Sequence, residues 1–275
     1  MSDPDSRRGV LRGRRAIITG AARGIGLACA RRFAAEGAAV LIVDLDAEAG
    51  EAVVAEMDWE NLRAVFHPAD LSHPEAIPGI VEAAVRGLGG VDILVNNAGI
   101  APTADFFELG QAQFDRVMAI NLRAPFLLTQ AVARRMREQG TPGAVVNLSS
   151  INAVLNGPTS LSYCVSKGGL NQLTRSCAIA LAPYGIRVNA VGPGTIATEL
   201  AAQAGLTGEG VAPVLERTPM GRLGEAAEIA AVAVFLASDD ASFVSGQTVY
   251  ADGGRLGLNY SLPRADQGDG EKYGV

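Results

Sequence analysis

Tyr163 and Lys167 stand four residues apart in a segment, Ser162–Leu181, whose pattern is helical, so their side chains share one helix face. A phenol has an ordinary pKa of about 10 and is a poor base near neutrality. Bringing it to about 7 takes roughly 4 kcal/mol of preference for the phenolate. An ammonium one helical turn away, together with a second positive charge at the site, can supply that preference. Ser150 lies 13 residues before the tyrosine, at the end of a strand-like run. Its hydroxyl can hold a substrate oxygen against the phenol. The three residues suit proton exchange with an alcohol or carbonyl oxygen. A bare Tyr-x-x-x-Lys pair is as well explained by a core residue beside a surface one, so its meaning depends on what lies upstream.

Upstream lies a glycine-punctuated turn, Thr19-Gly-Ala-Ala-Arg-Gly-Ile-Gly26, between a strand-like run and an amphipathic helix. Gly20, Gly24 and Gly26, with Arg23 and Ile25 between them, allow a tight turn that brings backbone N–H groups to a pyrophosphate at a helix N-terminus. The spacing is Gly-x-x-x-Gly-x-Gly rather than the commoner Gly-x-Gly-x-x-Gly. Asp44, 18 residues beyond Gly26, follows the second strand. A carboxylate there accepts hydrogen bonds from ribose hydroxyls and repels a 2′-phosphate, which favours NAD over NADP. Arg23 pulls the other way, but an unpaired carboxylate beside a phosphate is the costlier arrangement. Asp70, with Leu71 next to it, ends the third strand and suits an adenine amine or an ordinary loop. Asn96-Asn97-Ala98-Gly99 closes the fourth strand at its carboxyl end, where ligands bind in such sheets. A dinucleotide turn followed by Ser, Tyr and Lys points to hydride transfer between a nicotinamide and an alcohol or carbonyl.

The elements that must position these residues alternate. Strands are expected at Arg15–Thr19, Val40–Val43, Ala64–His67, Asp92–Val95, Ala144–Leu148, Arg187–Val191 and Thr248–Tyr250, several of them continuously apolar, as buried parallel strands are. Helices are expected at Gly24–Glu36, Gln111–Arg137 and Ser162–Leu181, with Gly37 and Gly140 as stops. This pattern gives an α/β fold: a Rossmann-type doubly wound parallel sheet with helices on both faces.

The 275 residues are 48% hydrophobic, enough for a sizeable core, and the net charge of −6 argues against nucleic acid or anionic membrane as partner. The basic run Arg7, Arg8, Arg12, Arg14, Arg15 reads as a solvated arm before the first strand. No apolar stretch approaches the length of a bilayer span, and no signal sequence follows the arginines. Cys29, Cys164 and Cys177 lack metal-ligand spacing and suit a reducing cytoplasm. His67 and His73 have no ligand or nucleophile signature around them, so no metal is expected.

From about Gly13 to Gly254 the chain resembles the short-chain dehydrogenase/reductase family. The resemblance rests on Thr19–Gly26, Asp70, Asn96–Gly99, Asn121, Asn147-Leu-Ser-Ser150, Tyr163-x-x-x-Lys167, Asn189-Ala-Val-Gly-Pro-Gly194 and Asp252-Gly-Gly254. It implies seven parallel strands, Tyr163 as general acid/base, Ser150 as anchor of the substrate oxygen, and Lys167 as both pKa modulator and ribose ligand. It implies that Asn121 holds a water linking Lys167 to solvent, and that Pro193, Gly194, Ile196 and Thr198 face the nicotinamide carboxamide and pyrophosphate. Asn97, Ala98 and Gly99 complete the expected cofactor set. Members of the family are commonly homotetramers. Residues 1–12 then form an arm, 13–254 one catalytic domain with a lid at about 199–219, and 255–275 a tail. Leu256, Leu258, Tyr260 and Leu262 in that tail suit packing on a neighbouring subunit.

The substrate pocket is expected from 152–160, 100–104 and the segment after Thr198. Asn152, Asn156 and Thr159 suit a polyhydroxylated substrate, or serve as turn formers. The stretch from Ser176 to Thr198 looks like bacterial sugar 1-dehydrogenases of the family, such as those acting on rhamnose. Two other readings stand beside this one: an NADP-dependent carbonyl reductase of the 3-oxoacyl-carrier-protein type, and a nucleotide sensor without turnover.

Overall fold

The computed structural model describes residues 9–203 and 208–259. Arg7 and Arg8 of the basic run, and Tyr260 and Leu262 of the tail, lie outside the described residues, as do 204–207.

Seven strands form one parallel sheet: β1 (Arg15–Thr19), β2 (Ala39–Asp44), β3 (Ala64–Pro68), β4 (Ile93–Asn96), β5 (Gly143–Leu148), β6 (Ile186–Pro193) and β7 (Thr248–Ala251). Their order is β3-β2-β1-β4-β5-β6-β7. The strand order reverses between β1 and β4, and it is outside the carboxyl ends of the strands at such a switch point that sheets of this kind form their ligand crevice. Alternate residues of each strand feed two cores. Ala16 and Ile18 of β1 join Cys29 and Phe33 of α1 (Gly24–Ala35), Met57 of α2 (Ala47–Trp59) and, beyond the short α8 (Ala212–Leu215), Ile229 of α9 (Ala226–Ala237) on one face. On the other face Ile17 joins Ile80 of α3 (Ala76–Leu88), Leu128 of α5 (Ala124–Gln139) and Ala178 of α6 (Leu161–Leu181). Burial on both faces is why these strands are apolar without alternation.

The amino ends of the strands are fixed by ion pairs and caps. Arg15 Nη2 and Nε donate to the two Asp92 oxygens at 2.6 and 2.7 Å. Arg187 donates to the Leu236 and Ser238 carbonyls at 2.7 and 2.8 Å, which closes the carboxyl end of α9.

The expectation of one helix over Gln111–Arg137 is corrected. α4 (Gln111–Met118) and α5 are separated by a π-turn, Ala119–Arg123, marked by the Ala124 N–H donating to the Ala119 carbonyl. Pro125 supplies the reason: it has no N–H for the carbonyl of Asn121, four residues back, and in an α-helix its ring would press on that carbonyl. Gly37 and Gly140 do stop helices, each with positive φ.

Candidate active site

The glycine turn is stitched to the end of β4. Asn97 Nδ2 donates to the Thr19 and Gly20 carbonyls, both at 2.9 Å, while Thr19 Oγ1 accepts from the N–H groups of Asn97 and Ala98 at 3.0 and 3.1 Å. The packing leaves no room for side chains: a Cβ on Gly26 would sit 2.0 Å from the Gly20 carbonyl oxygen, and one on Gly20 2.8 Å from Ala98 Cα. α1 then starts at Gly24, and no side chain caps its first turn. Uncapped N–H groups at a helix N-terminus, reached by a glycine with φ +57°, form a cradle that fits a pyrophosphate. Thr198 Cγ2 lies 3.8 Å from where a Gly24 Cβ would be. From the end of β6 the chain thus runs back to this turn through Pro193 and Ile196, both buried, and Gly194, which is packed on Asp252.

Asp44 ends β2 beside the turn. Its Oδ2 accepts from the Ala22 N–H at 3.0 Å and its Oδ1 from the Asp46 N–H at 3.1 Å, which aims the carboxylate at the crevice edge. Arg23 is engaged by acids: Nη2 meets Asp46 at 2.5 Å, and Nη1 lies 3.9 Å from Glu199, the first residue of α7 (Glu199–Gln203). Asp70 accepts from the Ser72 N–H at 2.8 Å, and its bonds to the Ser72 side chain and backbone hold its carboxyl below the usual range. Leu71 is half-buried against the core beneath α3.

α6 supplies Tyr163 and Lys167 and packs against the end of β5. Ser150 follows that strand in extended geometry, and its Oγ accepts from the Asn152 N–H at 3.0 Å. The same hydroxyl hydrogen-bonds Tyr163 and pulls its phenol down, but burial pushes it up more strongly. The lowering expected from sequence is therefore absent in the protein by itself. The Lys167 Nζ, one of the two positive charges expected to cause it, donates to the Leu148 carbonyl at 2.6 Å and lies 5.6 Å from the centre of the tyrosine ring. Burial brings the Lys167 ammonium down to about 8.

Asn121 sits in the π-turn, fully buried. Its Oδ1 accepts from the Ile100 N–H and its Nδ2 donates to the Ile100 carbonyl, both at 2.9 Å, and Nδ2 also reaches Ser166 Oγ at 3.1 Å. The side chain thereby locks the segment following Gly99 to α6. A Cβ on Gly99 would lie 3.3 Å from Asn121 Oδ1 and 3.7 Å from Lys167 Nζ.

The neighbouring serines separate cleanly. Ser149 Oγ donates to Asn171 Oδ1 at 2.6 Å, away from the phenol, which leaves Ser150 as the serine on Tyr163. Of the expected substrate residues, Asn152 spends its amide on Cys164 Sγ at 3.7 Å, and Asn156 is exposed on the loop beyond. Ser166 and Asn171 were not singled out from sequence. Asn171 continues the four-residue spacing from Tyr163 through Lys167, the one signal that could have found it.

The family model described as enoyl-(acyl carrier protein) reductase matches residues 20–255. The chain belongs to the short-chain dehydrogenase/reductase family. It is an NAD(P)-dependent oxidoreductase acting on CH–OH and carbonyl groups. An L-rhamnose 1-dehydrogenase (NAD(P)+) of Azotobacter vinelandii is 42% identical over 86% of this chain and 94% of its own. A 5-keto-D-gluconate 5-reductase of Escherichia coli is 37% identical over 90% and 96%. Among solved structures, a candidate 2-deoxy-D-gluconate 3-dehydrogenase of Agrobacterium tumefaciens with bound NADP superposes with a TM-score of 0.83 at 36% identity, covering 90% of this chain and 98% of that one. Among the described residues no helix is long and apolar enough to cross a membrane, and no cluster of metal-ligating side chains occurs.

Proposed function

We propose that this oxidoreductase uses NAD in preference to NADP to oxidise a secondary alcohol of a sugar or polyol, with Tyr163 as the general base. The observation that carries the reading is the gathering of Ser150, half-buried Tyr163 and buried Lys167 at the end of β5, with the Lys167 Nζ beside Gly99 after β4. A bound nicotinamide would supply the hydride acceptor for oxidation and the hydride donor for reduction. Ser150 holds the substrate oxygen, and the Tyr163 phenolate takes its proton. Lys167 would hold the nicotinamide ribose and, as an ammonium, favour the phenolate. Asn121 orders the floor of the site, and its carbonyl, deprived of a helical donor by Pro125, suits a water that carries the proton outward. Gly20, Gly24, Ile25, Gly26 and Thr198 would hold the pyrophosphate, Asp44 the adenosine ribose, Asp70 and Leu71 the adenine, and Asn97, Ala98, Gly99, Pro193, Gly194 and Ile196 the nicotinamide half.

NAD is favoured because Asp44 faces the place of a 2′-phosphate, while Arg23, the one cation in the turn, already pairs with Asp46. The sugar reading draws on the relatives' substrates. Residues 13–254 make one catalytic domain, with 199–219 as its cover, between an arm at 1–12 and a tail at 255–275. A homotetramer accounts for the open groove of about 740 Å³ lined by Met118, Leu122, Phe126 and Leu173. Sedimentation should return a four-subunit mass. Three free thiols suit the cytoplasm.

The test is reduced-nicotinamide absorbance with NAD and NADP separately, across aldoses, polyols, secondary alcohols and 3-hydroxyacyl thioesters. The expected result is turnover on a sugar or polyol with NAD, reduced at least about 1,000-fold in Tyr163→Phe while NAD still binds. Turnover on thioesters with NADP alone would overturn the reading.

A further inference from the structure

Three residues at four-residue intervals on α6 address three successive residues at the end of β5. Tyr163 hydrogen-bonds Ser150, Lys167 donates to the Leu148 carbonyl, and Asn171 accepts from the Ser149 hydroxyl. The first two belong to the catalytic stack. We infer that Asn171 is a positioning residue of the same machinery: it fixes Ser149, and through it the orientation of Ser150 toward Tyr163. This rests on the catalytic reading of Ser150 and Tyr163 given above.

The contacts of Asn171 are those of a clamp. The side chain is buried, and its Oδ1 accepts two hydroxyl donors, Ser149 at 2.6 Å and Thr248 at 3.2 Å. Its Nδ2 donates to Tyr250 Oη at 3.0 Å. Thr248 and Tyr250 belong to β7, so a single amide ties the last strand of the sheet to the serine pair. Ser149 is held on its other side by its own N–H, which donates to the Val191 carbonyl of β6 at 2.7 Å. With both the backbone and the hydroxyl of Ser149 anchored, the direction of the next residue is set. The remaining local ties of Ser150 lie on its far side, the Asn152 N–H on its Oγ and the Ala153 N–H on its carbonyl, both at 3.0 Å. Cutting the Asn171 link therefore loosens Ser150 without touching the cofactor cradle, which is built from β1, β4 and the start of α1.

The variants are Asn171→Ala, Ser149→Ala and their double, assayed in the full-length protein beside Tyr163→Phe, with NAD and the best alcohol substrate found for the parent. Sites are counted by NAD binding, so kcat is per competent site. Asn171→Ala should lower kcat about tenfold to a hundredfold, with NAD affinity within about twofold of the parent. Because the Ser150 hydrogen bond favours the phenolate, loosening it should move the rising limb of alcohol oxidation toward alkaline pH. A residue serving the fold alone would change melting temperature and site count but leave kcat per site and that limb in place. The double variant should be no slower than Asn171→Ala, since both changes cut one link. An unchanged kcat per site and pH limb in Asn171→Ala overturns the inference, as does strictly additive loss in the double. Should Asn171→Ala fail to fold, Ser149→Ala decides by the same two readouts. A Tyr163→Phe protein with full turnover would instead refute the catalytic reading, a result distinguishable from either.

Discussion

Lys167 should weaken the fold it serves, and replacing it with methionine makes that measurable. The side chain is 4% exposed, and burial holds its ammonium at about 8 against an ordinary 10.5. At about 1.4 kcal/mol per unit, the difference makes a protonated Lys167 a liability of about 3 kcal/mol. Between pH 8 and 10.5 the unfolded chain binds one more proton than the folded one, so this contribution raises stability as pH climbs. The liability is therefore complete below about pH 8 and gone above about 10.5. Lys167→Met removes it but leaves the Leu148 carbonyl without its 2.6 Å donor, a loss of about 1–3 kcal/mol. The variant should then match or exceed the parent at pH 7, and be the less stable of the two at pH 10.5. Urea unfolding of both cofactor-free proteins at the two pH values reads the effect, since every other titrating group is shared. The stability difference should swing by about 3 kcal/mol, or about 6 °C in Tm for a chain of this length. A difference that stays constant across pH would refute the claim that an ammonium is buried there. Turnover should be lost at both.

Two further changes bear on the cofactor crevice. Asp44→Ala strips the acceptor from the Ala22 and Asp46 N–H groups and removes the charge facing a 2′-phosphate, so the NAD:NADP ratio of kcat/KM should fall by about tenfold or more; an unchanged ratio would place discrimination elsewhere. Gly26→Ala drives a Cβ to 2.0 Å from the Gly20 carbonyl oxygen and 2.4 Å from Asn97 Nδ2. It should lower stability by about 1–3 kcal/mol and abolish calorimetric NAD binding, whereas Gly24→Ala, whose Cβ would meet Thr198 at an ordinary contact distance of 3.8 Å, should show only the milder strain of its positive φ.

The strands were legible because parallel burial leaves an unmistakable mark: Ala16, Ile17 and Ile18 are apolar in sequence since each faces a core. The glycine turn and the Tyr163–Lys167 pair were legible because their chemistry depends on local spacing. What sequence hid is long-range or electrostatic. Periodicity carried Gln111–Arg137 as one helix, and the break needed Pro125 to be read against the carbonyl four residues back. The phenol of Tyr163 was expected low from its lysine neighbour and a second positive charge together; with the lysine alone, burial holds the phenol up. Asn152 looked like a pocket residue, and its partner, Cys164, lies 12 positions away on another element. Asn171 was hidden because a mid-helix asparagine gains meaning from β7, 77 residues on.

The π-turn at Ala119–Arg123 also changes what kind of mutation this stretch can bear. An α-helix rotates about 100° per residue, and a π-turn accommodates one residue more than the helix around it. That extra residue sets the angular offset between α4 and α5, and with it the direction in which Asn121 faces. Substitution at Arg123, the one exposed position of the turn, leaves the offset intact. Deleting any one residue between 119 and 123 would close the turn into regular helix, rotate everything before it by more than a quarter of a circle, and carry Asn121 away from Ile100 and Ser166. Chain length, more than residue identity, is what this segment demands.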